Sequence, residues 1–484
     1  MFFAVHYSPF TIHCFYHGIL EPCIDKDEQL IKYHFVGIGG SGMSSLAQVI
    51  KSKGNEVTGS DRSHDRALNQ ELFRSLQDQG IKLFPQDGSG VTENTDYVVV
   101  STAIEESNPD IKKARSLTIS ILHRAKLLSE IFNPSFGIAV GGTSGKSTVT
   151  GMISVILEQA GLDPTVINGG VINSFQGEKW LGNARLGSGN MMVIETDESD
   201  GSIVNFSPEV GVITNISRDH KDIFELLPLF ETFAQSIKGC LVINSDCPLA
   251  SKIRPQSKKI ITYGLTDGAD IKADNIQMNA ASSQFQVNGI PFHLFLPGRH
   301  NISNALAAFA IGTCLDLDLH RMKTALGKFR GIKRRLEFMG SSNGIAVFDD
   351  FSHNPVKISS AIETLRMAGT RLIIVFQPHG YGPTRFLLKE LAEVFNQSLH
   401  PSDHLFLLNI YDAGGTANRT ISSLDLLKRI TKPAVLHCPD RETAISEVKK
   451  GARSGDVVVV MGARDDTLSV FARKLLNAVQ GDKT

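Results

Sequence analysis

Two glycine-rich turns, each entered from an apolar run and left through a helix-like stretch, constrain the fold of this chain more than any other feature. The first is Gly37-Ile38-Gly39-Gly40-Ser41-Gly42, behind an apolar run at 34–38 and ahead of a helical pattern at 43–53; residues 55–59 then read as a second strand ending at Asp61. That order predicts a βαβ unit, because two parallel strands need a crossover that a helix supplies. The second turn spans 141–147, between an apolar run at 136–140 and a helical stretch at 148–160. Backbone N–H groups in such a turn converge on an anion, with a helix N-terminus behind them.

Further strand-sized runs extend both units. Those at 81–84 and 97–101 continue the first, which is expected to end near Asn133-Pro134, and those at 191–195, 210–214 and 240–244 continue the second. Residues 270–297 alternate apolar and polar side chains, which predicts antiparallel strands covering an edge. Runs at 345–348, 371–376, 404–408, 434–437 and 457–461 form a third set beginning near 331–335. The expectation is an α/β chain of three domains. After an extension at 1–32 come a Rossmann-like domain at 33–134 and a central P-loop ATPase domain at 135–330, with a parallel sheet and a small antiparallel one. A second Rossmann-like domain follows at 331–484.

Composition narrows the function. A length of 484 residues and 42% hydrophobic content provide for several cores. Lys plus Arg at 49 balance Asp plus Glu at 50, so no general basic field draws in nucleic acid or an acidic membrane surface. Apolar runs fall short of a bilayer span, and no Lys or Arg precedes Lys26, so a signal peptide fits poorly and a cytoplasmic protein is expected. Cys14, Cys23, Cys240, Cys247, Cys314 and Cys438 show no CxxC spacing, which predicts buried free thiols rather than zinc ligands or disulfides.

The chemistry-bearing residues sit at strand ends. In Gly142-Thr143-Ser144-Gly145-Lys146-Ser147-Thr148 the lysine suits terminal phosphates and the serine hydroxyl suits magnesium, although Val140 stands where the G-x-x-x-x-G-K-[ST] pattern begins with glycine. A second phosphate loop at Gly37–Gly42 points to a nucleotide-linked substrate beside ATP, which a hydride-transfer enzyme does not need. Glu195-Thr196-Asp197-Glu198-Ser199-Asp200 presents carboxylates to metal and phosphate, and His220 is a candidate neutral imidazole ligand.

These motifs occur in order with Thr-Asn-Ile-Ser-Arg-Asp-His at 214–220 and Gly-Arg-His-Asn-Ile-Ser-Asn-Ala at 298–305. Lys-Arg-Arg at 333–335 and Asp-Asp-Phe-Ser-His-Asn-Pro at 349–355 follow. Together they make the chain resemble the Mur ligase family from about Tyr33 onward. The resemblance implies an ATP-dependent, ADP-forming amide ligase of peptidoglycan synthesis, and so of cell shape and division. Its ATP phosphorylates the lactoyl carboxylate of UDP-N-acetylmuramate, and an amine, L-alanine by default, attacks the acyl phosphate.

It also implies a UDP-sugar site of Gly37, Gly39, Gly40, Ser41, Gly42, Met43, Asp61 and Ser101. ATP is assigned Gly142 to Thr148, Asn301, Asn304, Arg335 and Asp350, with magnesium on Ser147, Glu195 and His220. The catalytic set is Lys146, Glu195, His220 and His353, and the acceptor pocket is His353, His379, Tyr381 and Arg385. The chain is expected to act as a monomer or homodimer.

Ser144 and Asn354 stand where the family commonly has His, and Gly380 and Pro383 stand where it has arginines that grip the amino acid's carboxylate. Neither can form a bidentate fork, which predicts a weak hold on L-alanine. A ligase for another amine or a short peptide, of the tripeptide-recycling type, is the second expectation. A non-catalytic nucleotide-binding homologue is disfavoured by Lys146, Ser147, Glu195 and His220 occurring together.

Overall fold

The computed structural model describes residues 30–177, 180–218, 221–255, 259–279, 282–369, 371–412, 418–432, 434–465 and 467–480. The expected N-terminal extension, up to residue 29, and His220 lie outside the described residues.

The first unit runs β1 (Lys32–Val36), α1 (Ser41–Ser52), β2 (Glu56–Ser60), α2 (Arg62–Asp65), α3 (Gln70–Asp78), β3 (Lys82–Phe84), β4 (Tyr97–Val100), α4 (Pro109–Ser116), β5 (Ser120–His123) and α5 (Arg124–Phe132). Its five parallel strands lie in the order β3-β2-β1-β4-β5. Strand order reverses on either side of β1, so the glycine turn that follows it opens into the crevice where such sheets take ligands.

The second unit contains β6 (Phe136–Gly141), α6 (Lys146–Gln159), β7 (Thr165–Ile167), β8 (Ala184–Arg185), β9 (Met191–Glu195), β10 (Val210–Ile213), α7 (Ile223–Ser236), β11 (Cys240–Asn244), β12 (Lys259–Gly264) and β13 (Ile271–Lys272). The sheet order is β13-β12-β11-β10-β6-β9-β7-β8, parallel throughout except for the β7–β8 pair. Apolar runs at β6, β10 and β11 read clearly because parallel strands are covered on both faces. From Ser147 to Leu157 every residue of α6 is buried, which places the phosphate loop on a rigid element.

Then come β14 (Asp274–Met278), β15 (Ser283–Val287), β16 (Ile290–Leu294), α8 (Arg299–Cys314) and α9 (Leu319–Lys328). The expected small antiparallel sheet is present, and only its placement as an edge cover differs. The three antiparallel strands form a sheet of their own, while β13 takes the edge of the parallel sheet. Phe285 stacks on Phe292, whose ring meets the edge-on ring of Phe309 in α8, so the apolar face of the small sheet is spent on a helix. The expectation for cysteine holds for two of the four described cysteines and fails for the other two, while Cys14 and Cys23 lie outside the described residues. Cys240 in β11 and Cys314 at the end of α8 are joined as a disulfide, and Cys247 and Cys438 are buried free thiols. Spacing rules register neighbours in sequence, whereas these two are 74 residues apart and meet because α8 packs on β11.

The third unit holds β17 (Glu337–Ser342), β18 (Ile345–Asp350), α10 (Pro355–Arg366), β19 (Arg371–Gln377), α11 (Tyr381–Phe386), α12 (Leu388–Ser398), β20 (His404–Leu408), α13 (Ser423–Leu427), β21 (Ala434–Cys438), α14 (Arg441–Gly451), β22 (Asp456–Gly462) and α15 (Leu468–Val479). Its order is β17-β18-β22-β19-β20-β21, with β17 antiparallel. Among the described residues no helix is long and apolar enough to cross a membrane.

One buried amide joins the first two units. Asn183 accepts from Gln48 Nε2 at 2.9 Å and donates to the Ser41 carbonyl and to Ser44 Oγ, both at 3.0 Å, fixing α1 against the segment before β8. Asn183→Ala strands these buried partners, and unfolding by urea should show a loss of about 1–3 kcal/mol. An unchanged midpoint would show that the two units do not depend on this junction.

Candidate functional site

The first glycine turn is shaped by β2. Gly37 and Ile38 donate their N–H groups to the Ser60 carbonyl at 2.8 and 3.0 Å. Gly39 N–H donates to Asp61 Oδ2 at 2.9 Å, and Asp61 Oδ1 accepts from Ser63 N–H to cap α2. Both carboxylate oxygens of Asp61 thus bind this chain's own backbone. Gly40, Ser41 and Gly42 lead into α1, where Met43 is buried. Ser101 follows β4, and its carbonyl accepts from Ile104, whose side chain lies beside Gly37.

Arg124, which sequence reasoning missed, opens α5. Its guanidinium lies 3.0 Å from where a Gly42 Cβ would stand, and it faces Asp197 and Asp200 at 3.9 and 3.8 Å. One cation therefore touches both the first glycine turn and the acidic stretch of the next unit.

The second turn is gripped from behind. Thr143 N–H donates to the Asn215 carbonyl, Ser144 N–H donates to Asn215 Oδ1, and Thr143 Oγ1 exchanges hydrogen bonds with the backbone of Ser217. Gly145 sits at φ +88°, a left-handed conformation that side chains resist, and a Cβ there would come within 2.5 Å of Asn304 Oδ1. Asn304 donates in turn to Asn301, which donates to the Pro297 carbonyl, so α8 leans on the loop through the two expected asparagines.

Lys146 Nζ lies 2.6 Å from the Gly142 carbonyl and 2.8 Å from Glu198 Oε2. Burial alone would lower the lysine's pKa, but the charges of Glu198, Glu195 and Asp197 outweigh it and hold the ammonium above its ordinary value. Ser147 Oγ donates to Glu195 Oε2 at 2.8 Å, and the same oxygen accepts from Gly169 N–H. Thr148 is buried beneath them in the first turn of α6.

A third glycine turn, Asn168-Gly169-Gly170, carried a legible signal after the apolar strand β7 but drew no assignment. Asn168 Nδ2 donates to the Ser147 and Gly170 carbonyls. Ile332 packs on Gly170, and Lys333 N–H donates to the Val171 carbonyl, bringing the 333–335 stretch to the magnesium candidates. Arg335 is held there beside Phe351, 4.9 Å from guanidinium carbon to ring centre. Burial pulls its pKa down, opposed by the charges of Asp350 and Glu195. Asp350 accepts from Leu336 N–H and Ser352 N–H, and burial raises its carboxyl. Arg334 and Leu336 flank this turn at φ +61° and +48°, strained values for side-chain-bearing residues.

Ser144 Oγ and Asn168 Oδ1 are buried without partners beside the loop. Together with the inward lysine and the Ser147–Glu195 pair of hard oxygens, they fit a polyphosphate and its divalent cation. Among the described residues no three His, Cys, Asp or Glu side chains cluster as a metal site; the expected magnesium ligands are a serine, a glutamate and His220.

On the third unit, the rings of His353 and His379 meet edge to face at 4.7 Å. Burial, reinforced by Lys357 and His379, carries His353 well below the ordinary histidine range, so it is neutral at physiological pH. Asn354 accepts from Lys357 N–H and caps α10, a use that a neutral amide serves well. Tyr381 opens α11 beneath Arg419, and Arg385 donates to the Asn418 carbonyl and to Thr420 Oγ1. Gly380 sits at φ +66°, and a Cβ there would lie 3.3 Å from the Pro383 ring. The two departures from the family pattern are therefore one local turn, into which an arginine at 380 does not fit without strain.

A glycine cradle with an inward lysine, a serine–carboxylate pair and an arginine delivered from the following unit define a nucleotide-using enzyme built of three α/β units. The chain belongs to the Mur ligase family. Its family models match as the Mur ligase family catalytic domain at residues 32–135, the Mur ligase middle domain at 140–312 and the glutamate ligase domain at 334–464. The UDP-N-acetylmuramate–L-alanine ligase of Desulfotalea psychrophila is 36% identical over 448 residues, covering 89% of this chain and 95% of that protein. That of Dictyoglomus turgidum is 37% identical over 450 residues, covering 89% and 94%. Among solved structures, the UDP-N-acetylmuramate–alanine ligase of Thermotoga maritima is similar with a TM-score of 0.74 at 28% identity, covering 94% of this chain and 100% of that one.

Lys146 and Glu198 have side chains only 14% and 6% exposed, so removing the cation alone leaves a buried anion. Lys146→Ala should cost about 3–5 kcal/mol of stability. Adding Glu198→Gln should return most of that stability without returning turnover, because the lost phosphate contact is worth about 3–4 kcal/mol at the transition state. Denaturation and ADP release measured on both variants separate the two effects; turnover recovered in the double variant would contradict the assignment.

Proposed function

We propose that this protein is an ATP-dependent, ADP-forming ligase that joins L-alanine to the lactoyl carboxylate of UDP-N-acetylmuramate in cytoplasmic peptidoglycan synthesis. The observation that carries the reading is the meeting of Lys146, Ser147, Glu195 and Arg335 at one buried loop, tied through Arg124 and Asp197 to the first glycine turn. The names of the relatives support the substrates.

In this reading residues 33–134 hold the UDP sugar, 135–330 hold ATP and 331–484 bring the amine. The N-terminus of α1 at Ser41 and Gly42, with Arg124, orients the sugar's diphosphate so that its carboxylate faces the second turn. Lys146 meets the negative charge that grows as the γ-phosphoryl group leaves ADP, and Arg335 adds a second cation from the third unit. Ser147 and Glu195, with His220, would hold magnesium, which when bound neutralises phosphate charge and shapes the transferring group. The carboxylate oxygen attacks the γ-phosphorus and ADP departs; the amine then attacks the acyl carbon, loses a proton and expels inorganic phosphate. His353 stays neutral, and because burial and Lys357 oppose its protonation the amine's proton passes to solvent or to the departing phosphate.

A peptide or another amine as acceptor is the second reading, favoured by Gly380 and Pro383. Both readings are tested by incubating the protein with ATP, magnesium, UDP-N-acetylmuramate and a mixture of amino acids and short peptides, followed by mass spectrometry. The first predicts a product heavier by one alanyl residue. A peptide adduct formed in preference would establish the second, and ADP release without any amide would remove both.

A further inference from the structure

The stretch 214–218 grips the phosphate loop on one side and reaches the third unit on the other. Asn215 and Ser217 are hydrogen-bonded to Thr143 and Ser144. At the end of the same stretch, Arg218 Nε donates to Asp222 Oδ1 at 2.9 Å, and Asp222 is fixed as the N-cap of α7 by a capping box. The guanidinium then crosses to the third unit. It lies 4.2 Å from the ring centre of Phe386, the last residue of α11, and pairs through Nη1 with Glu390 in the first turn of α12.

We propose that Arg218 is a positioning residue for the amine: a strap that sets α11, and with it the turn at His379 and Gly380, over the phosphate loop. The inference rests on the ligase reading above. A planar guanidinium suits the task because it can stack on a ring and still bond two carboxylates in its own plane. Asp222 holds it to the phosphate-loop side, while Phe386 and Glu390 are the surfaces it holds. With Gly380 and Pro383 supplying no charged grip, placement of the α11 turn weighs more heavily on acceptor binding.

The test separates phosphoryl transfer from amine binding. Hydroxylamine is a small nucleophile that traps an acyl phosphate without an amino acid pocket. With ATP, magnesium and UDP-N-acetylmuramate, Arg218→Ala should form the hydroxamate at a rate within about twofold of wild type, while its KM for L-alanine rises about tenfold, the scale of one exposed cation–π contact plus one ion pair. Glu390→Ala should raise the same KM, and the double variant should be no worse than Arg218→Ala alone. An L-alanine KM unchanged in Arg218→Ala, or hydroxamate formation falling in step with amide formation, would overturn the assignment. No hydroxamate from the unmodified protein would instead overturn the ligase reading on which it rests.

Discussion

The ammonium of Lys146 is enclosed at the mouth of the second glycine turn, and much of the surrounding chain is arranged to keep it charged there. Desolvation works against a buried cation, and the carboxylates of Glu198, Glu195 and Asp197 overcome it. Those carboxylates are themselves distributed among cations: Glu198 faces Lys146, Asp197 and Asp200 face Arg124, and Glu195 lies within the influence of Arg335. In the proposed reading a polyphosphate would take the place of these carboxylates on Lys146 and Arg124, at positions the lattice already fixes.

The same lattice explains why three units act as one site. Arg124 belongs to the first unit and Arg335 to the approach to the third, yet both meet acidic residues at the end of β9 or just after it. Backbone contacts do the rest: Asn183 fixes α1, and the Gly169-Gly170 turn receives Ile332 and Lys333. Apolar packing joins them too: one buried cluster runs from Phe35, Met43 and Phe132 of the first unit to Ile167, Ala184 and Phe206 of the second, where the rings of Phe132 and Phe206 meet edge to face.

Much of this architecture was legible in the residues. Strands buried on both faces read as apolar runs, which is why β6, β9, β11, β20 and β22 stood out, and glycine turns stood out because their conformation demands glycine. Short pairs such as β7 with β8 carried too few residues to show a period. The antiparallel strands were recognised by alternation, but their packing partner, α8, could not be read from alternation alone. The site showed a similar division. Lys146, Ser147 and Glu195 belong to compact motifs, whereas Arg124, Asn183 and Arg218 act through partners far along the chain, and the Cys240–Cys314 bond spans 74 residues. Gly380 and Pro383 read as the loss of two cations; in the fold they form a single turn, with the proline ring filling the space a side chain at 380 would need.

The central claim is that phosphate passes through the sugar's carboxylate. It is tested most directly with UDP-N-acetylmuramate carrying oxygen-18 in both lactoyl carboxylate oxygens, reacted to completion with ATP and L-alanine. Activation as an acyl phosphate predicts that each amide formed releases one inorganic phosphate bearing a single labelled oxygen, with the other label kept in the amide carbonyl. Unlabelled phosphate beside labelled product would mean that the carboxylate never accepted the phosphoryl group, and the chemistry assigned to the Lys146 loop would be wrong.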